Sequence, residues 1–230
     1  MSGTVVAPLI RVAGVSRAYR TDVESVWAAR DVDFVARPGE FVCVYGASGS
    51  GKSTFLNLLA GLDTPESGRI EVAGTDISGS DEKTRAALRL HTVGMIFQDH
   101  NLIEEFTVAE NVALPLEASG VPPERAREQA LEQLARVRLE GLEKRFPRQL
   151  SGGQRQRVGI ARALVGDRGI LLADEPTGAL DSTNTMEIFK LLRSLCDQGL
   201  LAVVCSHDIR CRDYADTAYE IVDGVFGQRP

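Results

Sequence analysis

Apolar and polar residues alternate through "LIRVAGVSRAY" (9–19) and "ARDVDFVA" (29–36), the period-two spacing of half-buried strands. Pro38-Gly39 marks a turn, and the apolar run "EFVCVYG" behind it predicts a strand buried on both faces. A glycine-rich loop follows, then "KSTFLNLLAGL" (52–62), which sets Phe55, Leu56, Leu58, Leu59 and Leu62 on one face of a helix. "GRIEVAG" (68–74) returns to strand. From about 79 to 150 the spacing shifts to threes and fours, as at Ala126, Ala130, Leu134 and Val137, within charged, helical sequence. Ser119, Gly120, Pro122 and Pro123 in "SGVPPERARE" end one helix of this stretch and start another. The last third alternates again, with a strand in "GILLADEP" (169–176), a helix in "NTMEIFKLLRSLCDQG" (184–199) stopped by Gly199, and a strand in "LLAVVCSHD" (200–208). Such alternation predicts an α/β fold with a mostly parallel sheet flanked by helices, whose sites collect at the carboxyl ends of the strands.

Composition narrows the possible tasks. With 43% hydrophobic and 25% charged residues in 230, the chain is ordinary globular material. A net charge of −6 argues against gripping nucleic acid, which needs a basic face to neutralise phosphates. The apolar runs fall far short of the roughly 20 residues that span a bilayer. "MSGTVVAPLIRV" lacks the basic start and apolar core of a secretory signal, so a cytoplasmic location is expected. Cys43, Cys196, Cys205 and Cys211 form no CxxC pair and read as reduced, small hydrophobic residues. Cys205, His207 and Cys211 lack the second ligand pair that a zinc site requires.

Two stretches carry the chemistry. Gly46-Ala47-Ser48-Gly49-Ser50-Gly51-Lys52-Ser53 fits G-x-x-x-x-G-K-[ST] between an expected strand and an expected helix, the setting of a phosphate-binding loop. Its glycines let backbone N–H groups turn inward, Lys52 reaches the β and γ phosphates, Ser53 can ligate Mg²⁺, and Thr54 can add a phosphate hydrogen bond. In "ILLADE" (170–175), Asp174 and Glu175 end an apolar strand, where burial makes carboxylates costly unless a metal or a proton transfer requires them. Asp174 suits Mg²⁺ held through water, and Glu175 suits a general base on the attacking water.

With these in place the chain resembles the ATP-binding subunits of ABC transporters over nearly its whole length. The resemblance rests on an ordered set: "GASGSGKST" (46–54), Gln98 in "GMIFQDHNL", the signature "LSGGQ" (150–154), "LLADEPT" (171–177), "GALD" (178–181) and His207 in "VCSHD". It implies the fold of that family, a P-loop core with an N-terminal antiparallel β-subdomain and an inserted helical subdomain. The chain would be one ATP-binding domain over 1–230, with core segments near 1–78 and 165–230, the helical subdomain near 79–150 and the signature helix at 150–164. Gln98 follows an apolar strand and leads into the helical subdomain, and His207 ends a strand; the resemblance implies that Gln98 contacts Mg²⁺ and the lytic water, that His207 bonds the γ-phosphate, and that adenine stacks on Tyr19. Within the family, "FQDHNLIEEFTVAENVALPL" and "LLADEPTGALD" look most like the subunits of lipoprotein-release and macrolide-export systems.

The resemblance further implies that two copies pack head to tail, so that each ATP lies between one copy's phosphate loop and the other's signature. Ser151, Gly152, Gly153 and Gln154 would then act in trans from a helix N-terminus, and Asp181 would carry information across the interface. Arg155, Arg157 and Arg162 read as a solvated or intersubunit helix face. A separate membrane permease would dock near Gln98–Phe106, over Asn101, Leu102, Ile103 and Phe106, holding the subunit on the cytoplasmic face of the membrane. The competing expectation is an ATP-switched assembly or scaffold protein of the same fold, which signals to a partner and transports nothing.

Overall fold

The computed structural model describes residues 7–20 and 25–229. Two sheets organise the chain. Strands β1 (Ile10–Arg20), β2 (Ser25–Ala36), β4 (Ser67–Val72) and β5 (Thr75–Asp76) form an antiparallel sheet in the order β2-β1-β4-β5. The larger sheet runs β10-β9-β3-β8-β7-β6, from β3 (Phe41–Tyr45), β6 (Val93–Ile96), β7 (Ile170–Asp174), β8 (Leu201–Ser206), β9 (Thr217–Val222) and β10 (Val225–Arg229). All its pairings are parallel except β9–β10.

The central strands are apolar up to their carboxyl ends because both faces are covered. Val42, Val44, Leu172 and Val203 point into a core shared with the antiparallel sheet and with α1 (Lys52–Leu59). Phe41, Cys43, Leu171, Ala202 and Val204 point the other way. There they meet α3 (Val108–Ala118), α4 (Pro123–Arg136), α5 (Gly152–Leu164) and α6 (Ser182–Cys196). Alternate residues of one strand thus serve two cores, as the pleat requires. All four cysteines are buried as free thiols within these cores.

Most helices start on a side-chain cap. Asp81 caps α2 (Glu82–His91), Asp181 caps α6, and Thr107 with Glu110 and Ser151 with Gln154 form capping boxes on α3 and α5. Helix α4 opens with proline at its first position. Helix α1 starts at Gly51 with no side-chain cap, which leaves its first-turn N–H groups unclaimed by a capping residue.

Three local features depart from expectation. The helical block expected over 79–150 is interrupted by β6, which pairs with β7 in the main sheet. It is the apolar strand expected ahead of Gln98, and it falls inside the helical block because the charged helix α2 precedes it. The packed helices α3, α4 and α5 therefore follow Gln98. A Cβ on Gly94 of β6 would sit 1.9 Å from the Ala163 carbonyl oxygen, so the absent side chain lets the end of α5 lie directly on the sheet. Leu62 is exposed, not buried, because α1 ends at Leu59. The β9–β10 hairpin was not among the expected elements; its signal is the Asp223-Gly224 turn, with φ of 49° and 77°.

Phe55 shows how tightly α1 is clamped. It is fully buried, edge-on to Phe34 at 5.1 Å and 4.5 Å from Phe226, so it joins α1 to both sheets. Phe55→Ala should cost about 3–5 kcal/mol of unfolding free energy by urea titration, and a loss under about 1 kcal/mol would show that this aromatic cluster does not fix α1.

Candidate functional site

Because β3, β8, β7 and β6 are parallel neighbours, their carboxyl ends lie along one edge of the sheet. Tyr45 pairs with Ser206, Cys205 with Asp174, and Ala173 with Ile96. The residues just beyond these positions are the loop at 46–51, Glu175, His207 and Gln98, so segments far apart in sequence converge on one rim.

The loop's geometry explains its glycines. Gly49 and Gly51 have φ of 82° and 110°, in the region that L side chains avoid. A Cβ would lie 2.0 Å from the Ala28 carbonyl oxygen at Gly51 and 2.4 Å from that of Ile221 at Gly46. The β9–β10 turn braces the loop from outside, with Gly224 N–H donating to the Ser50 carbonyl at 3.0 Å. Lys52, almost fully buried, donates from Nζ to the carbonyls of Gly46 at 2.9 Å and Ala47 at 3.0 Å, curling over the loop. Ala47, Ser48 and Gly49 are exposed at the loop's tip, and Ser53 is exposed beside Thr54 in the first turn of α1.

The carboxylates are arranged around Lys52. Glu175 Oε1 lies 3.5 Å from Lys52 Nζ, while its Oε2 accepts from the His207 backbone N–H at 3.1 Å and from the Ser206 hydroxyl at 3.4 Å. His207 Nδ1 is 2.8 Å from the same oxygen. Since a carboxylate only accepts, Nδ1 carries the proton there. Glu175 reaches this position on a left-handed backbone, φ 48°, held by its N–H bond to the Cys205 carbonyl at 2.9 Å. Asp174 Oδ1 is buried without a hydrogen-bond partner. Burial raises the Asp174 pKa, with the adjoining Glu175 charge adding to the effect, against a hydrogen bond from Ser53 and the charge of Lys52. Gln98 is exposed at the same rim, its Nε2 and the Glu175 Cβ both near the space a Cβ on Gly178 would fill.

These groups fit a magnesium polyphosphate. A buried carboxylate oxygen without a donor stands beside a hydroxyl, a buried ammonium and an uncapped helix N-terminus, which together supply ligands for a divalent cation and donors for phosphate oxygens. Ser206 was missed in the sequence because a serine between Cys205 and His207 carries no pattern of its own.

The signature is not part of this rim within one chain. Ser151 Oγ accepts from the Gln154 N–H at 3.2 Å and Gln154 Oε1 accepts from the Ser151 N–H at 2.9 Å. Among the described residues, no hydrogen bond or ion pair joins 151–154 to 46–54. Instead Gly152 and Gly153 lie against the "GALD" segment and α6: a Cβ at Gly152 would be 3.3 Å from Leu180, and one at Gly153 would be 2.7 Å from Asn184 Oδ1.

The three arginines beyond the signature are not a free, solvated face. Arg155 donates to the Leu150 carbonyl, Arg157 to the Val137 carbonyl and Glu187, and Arg162 to the carbonyls of His100 and Asn101. They tie α5 to its own chain because each reaches backbone oxygens that no helix or strand satisfies.

Tyr19, on β1, donates its hydroxyl to Asp63 at 2.8 Å, and Arg17 lies over its ring at 5.0 Å. The strand partner of Tyr19 is Val26 on β2, and residues 21–24 are outside the described residues. Its described contacts are thus to Asp63 and Arg17, with no hydrogen bond to the phosphate loop.

Below Gln98 a groove of about 360 Å³ runs between the main sheet and the helices, lined by Leu62, Met95, Phe97, Asn101, Pro115 and Arg162 among others. Of the four residues expected to form a docking surface, Asn101 lines it. Leu102 packs on the core, and buried Asn111 pins the loop by donating to the Ile103 and Phe106 carbonyls. The groove's apolar surface comes instead from Leu62, Met95 and Phe97.

The chain is similar to known proteins over most of its length. A family model described as "ABC transporter" matches residues 29–178. The chain is 43% identical over 217 residues to the macrolide export ATP-binding/permease protein MacB of Azoarcus sp. (strain BH72), an alignment covering 94% of this chain and 33% of that protein. It therefore spans about a third of the length of the macrolide-export relatives. It is also 43% identical to the ABC transporter ATP-binding protein YtrE of Bacillus subtilis (strain 168), over 85% of each chain. The dimeric post-hydrolysis structure of the ATP-binding cassette MJ0796 with ADP and Pi superposes with a TM-score of 0.86 at 36% identity, covering 96% of this chain and 99% of that one.

The raised pKa of Asp174 gives a test of sign. The folded state holds this proton more tightly than the unfolded chain does, a contribution fully present below the unfolded pKa and lost as pH rises through the folded value. Without nucleotide or divalent metal, Asp174→Asn should therefore gain thermal stability relative to the wild type as pH rises from below the ordinary carboxylate range to neutrality. A difference in Tm that does not change with pH would contradict this account of Asp174.

Proposed function

From the premise that this chain belongs to the ABC transporter family of ATP-binding, ATP-hydrolysing domains, we propose that it works as a head-to-tail dimer that drives a membrane permease. The observation that carries this reading is the separation of two half-sites: the phosphate loop, Asp174, Glu175 and His207 share one rim, while the signature is capped on itself elsewhere. Two copies related head to tail complete two sites at once, as a two-fold interface allows.

In this reading the loop N–H groups of 46–51, Lys52 and Thr54 bind the ATP phosphates. Ser53, Asp174 and Gln98 would hold Mg²⁺, which when bound would screen phosphate charge. Lys52 exchanges its bonds to the Gly46 and Ala47 carbonyls, and its pairing with Glu175, for phosphate oxygens. Glu175 then takes a proton from the attacking water, steadied by His207 and Ser206 through Oε2. Ser151, Gly152, Gly153 and Gln154 of the second copy supply N-terminal helix donors to the γ-phosphate, which favours charge developing there. Tyr19, exposed and held through its hydroxyl by Asp63, offers adenine the ring face that Arg17 does not cover.

No helix among the described residues is long and apolar enough to cross a membrane. The permease engages this domain in the groove over Leu62 and Phe97 and holds it at the cytoplasmic face of the membrane. Exposed apolar side chains rimmed by Arg89, Arg162 and Arg168 suit an amphipathic helix presented by such a partner.

Ser151→Arg should leave ATP binding to the isolated chain nearly intact and abolish hydrolysis; loss of binding instead would mean that the signature acts in cis. The double variant Leu62→Asp/Phe97→Asp should retain ATP binding yet lose the permease on co-purification from native membranes. Undiminished recovery of the permease would move the docking surface elsewhere.

A further inference from the structure

The two glycines of the signature are pressed by the chain's own "GALD" segment and α6, and one contact there is polar. Asn184, in the first turn of α6, donates from Nδ2 to Asp181 Oδ2 at 2.6 Å, and its backbone N–H donates to Asp181 Oδ1 at 2.9 Å. These bonds lower the Asp181 pKa, so its carboxylate stays ionised near neutrality. An ionised carboxylate can only accept, which fixes the Asn184 amide with its nitrogen toward Asp181. Its carbonyl oxygen is then turned onto Gly153, so close that a Cβ there would lie 2.7 Å from Oδ1 and 3.1 Å from Cγ. An acceptor in that place is complementary to the positive first turn of α5.

We propose that Asn184 is a positioning residue through which Asp181 sets the signature turn at Gly153, so that both move as one unit of the trans half-site. This rests on the head-to-tail reading above. Asp181 is exposed, free to meet a second copy, whereas Asn184 is half-buried between Asp181 and the signature. A partner group that draws on the Asp181 carboxylate loosens or turns the Asn184 amide, and the donors of the signature turn shift with it. Sequence spacing hides the link, because positions 153 and 184 lie in different helices.

The test is a double-mutant cycle on steady-state ATP hydrolysis by the full chain, with ATP binding measured separately by calorimetry. Asn184→Ala should lower kcat about three- to tenfold, the rate equivalent of one hydrogen bond, with ATP affinity within about twofold of the wild type. Asn184→Leu, which keeps the bulk against Gly153 without the amide, should lose as much. In an Asp181→Ala background either change should add little, because both remove the same link. Additive losses, or a normal kcat in Asn184→Ala, would overturn the proposal while leaving the trans reading intact. A loss in Asn184→Ala that Asn184→Leu restores would also overturn it, by assigning the role to packing alone. A wild type that binds ATP but hydrolyses none would instead overturn the reading on which it rests.

Discussion

The parallel pairing of β3 with β8 is the constraint from which the site follows. It sets the phosphate loop, which leaves β3, beside Ser206 and His207, which leave β8, and the next pairing adds Asp174 and Glu175. Parallel strands need long connections, so the residues that meet at this rim come from segments far apart in sequence. Their mutual positions depend on strand register more than on any loop. A slip of one residue at β7 would turn Asp174 to the opposite face and replace a carboxylate by an apolar side chain at the rim.

That rigid edge supports strained parts. The backbone of Glu175 is left-handed without being glycine, and the loop presses Gly46 and Gly51 against the carbonyls of Ile221 and Ala28. Such conformations persist where neighbours over-determine them. Here the neighbours are the β9–β10 turn, which hydrogen-bonds Ser50, and α1, whose Phe55 is wedged between two sheets. Buried charge is handled in the same way: Lys52 is met by two carbonyls and Glu175, whereas Asp174 keeps one oxygen without a donor.

Much of this was legible in the sequence where chemistry dictates local pattern. The central strands announced themselves as unbroken apolar runs, and the phosphate loop by glycines at positions whose φ only glycine accepts readily. What stayed hidden depends on tertiary neighbours. Strand β6 is legible as the apolar stretch ahead of Gln98, but its place in the main sheet comes only from its pairing with β7. Arg155, Arg157 and Arg162 read as a solvated or intersubunit face because a guanidinium in sequence does not reveal the carbonyls of its own chain that it will reach. Leu62 fitted the helical period of α1, but the helix stops at Leu59 and leaves it on the wall of a groove. The β9–β10 turn had a clear signal in Asp223-Gly224, set among strands too short and mixed to stand out.

Gly94 has a mechanical consequence. Because α5 meets the sheet backbone to backbone at Gly94 while its other end carries the signature, the helix has the form of an arm whose seat is at Ala163 and whose length packs in the core shared with the sheet. From Ala163 back to Ser151 the arm is roughly 18 Å at the helical rise, so a tilt of about 10° displaces the signature by ~3 Å. That is a hydrogen-bond length at the far end. Any side chain at residue 94 would lift the helix off its seat and shift the whole arm.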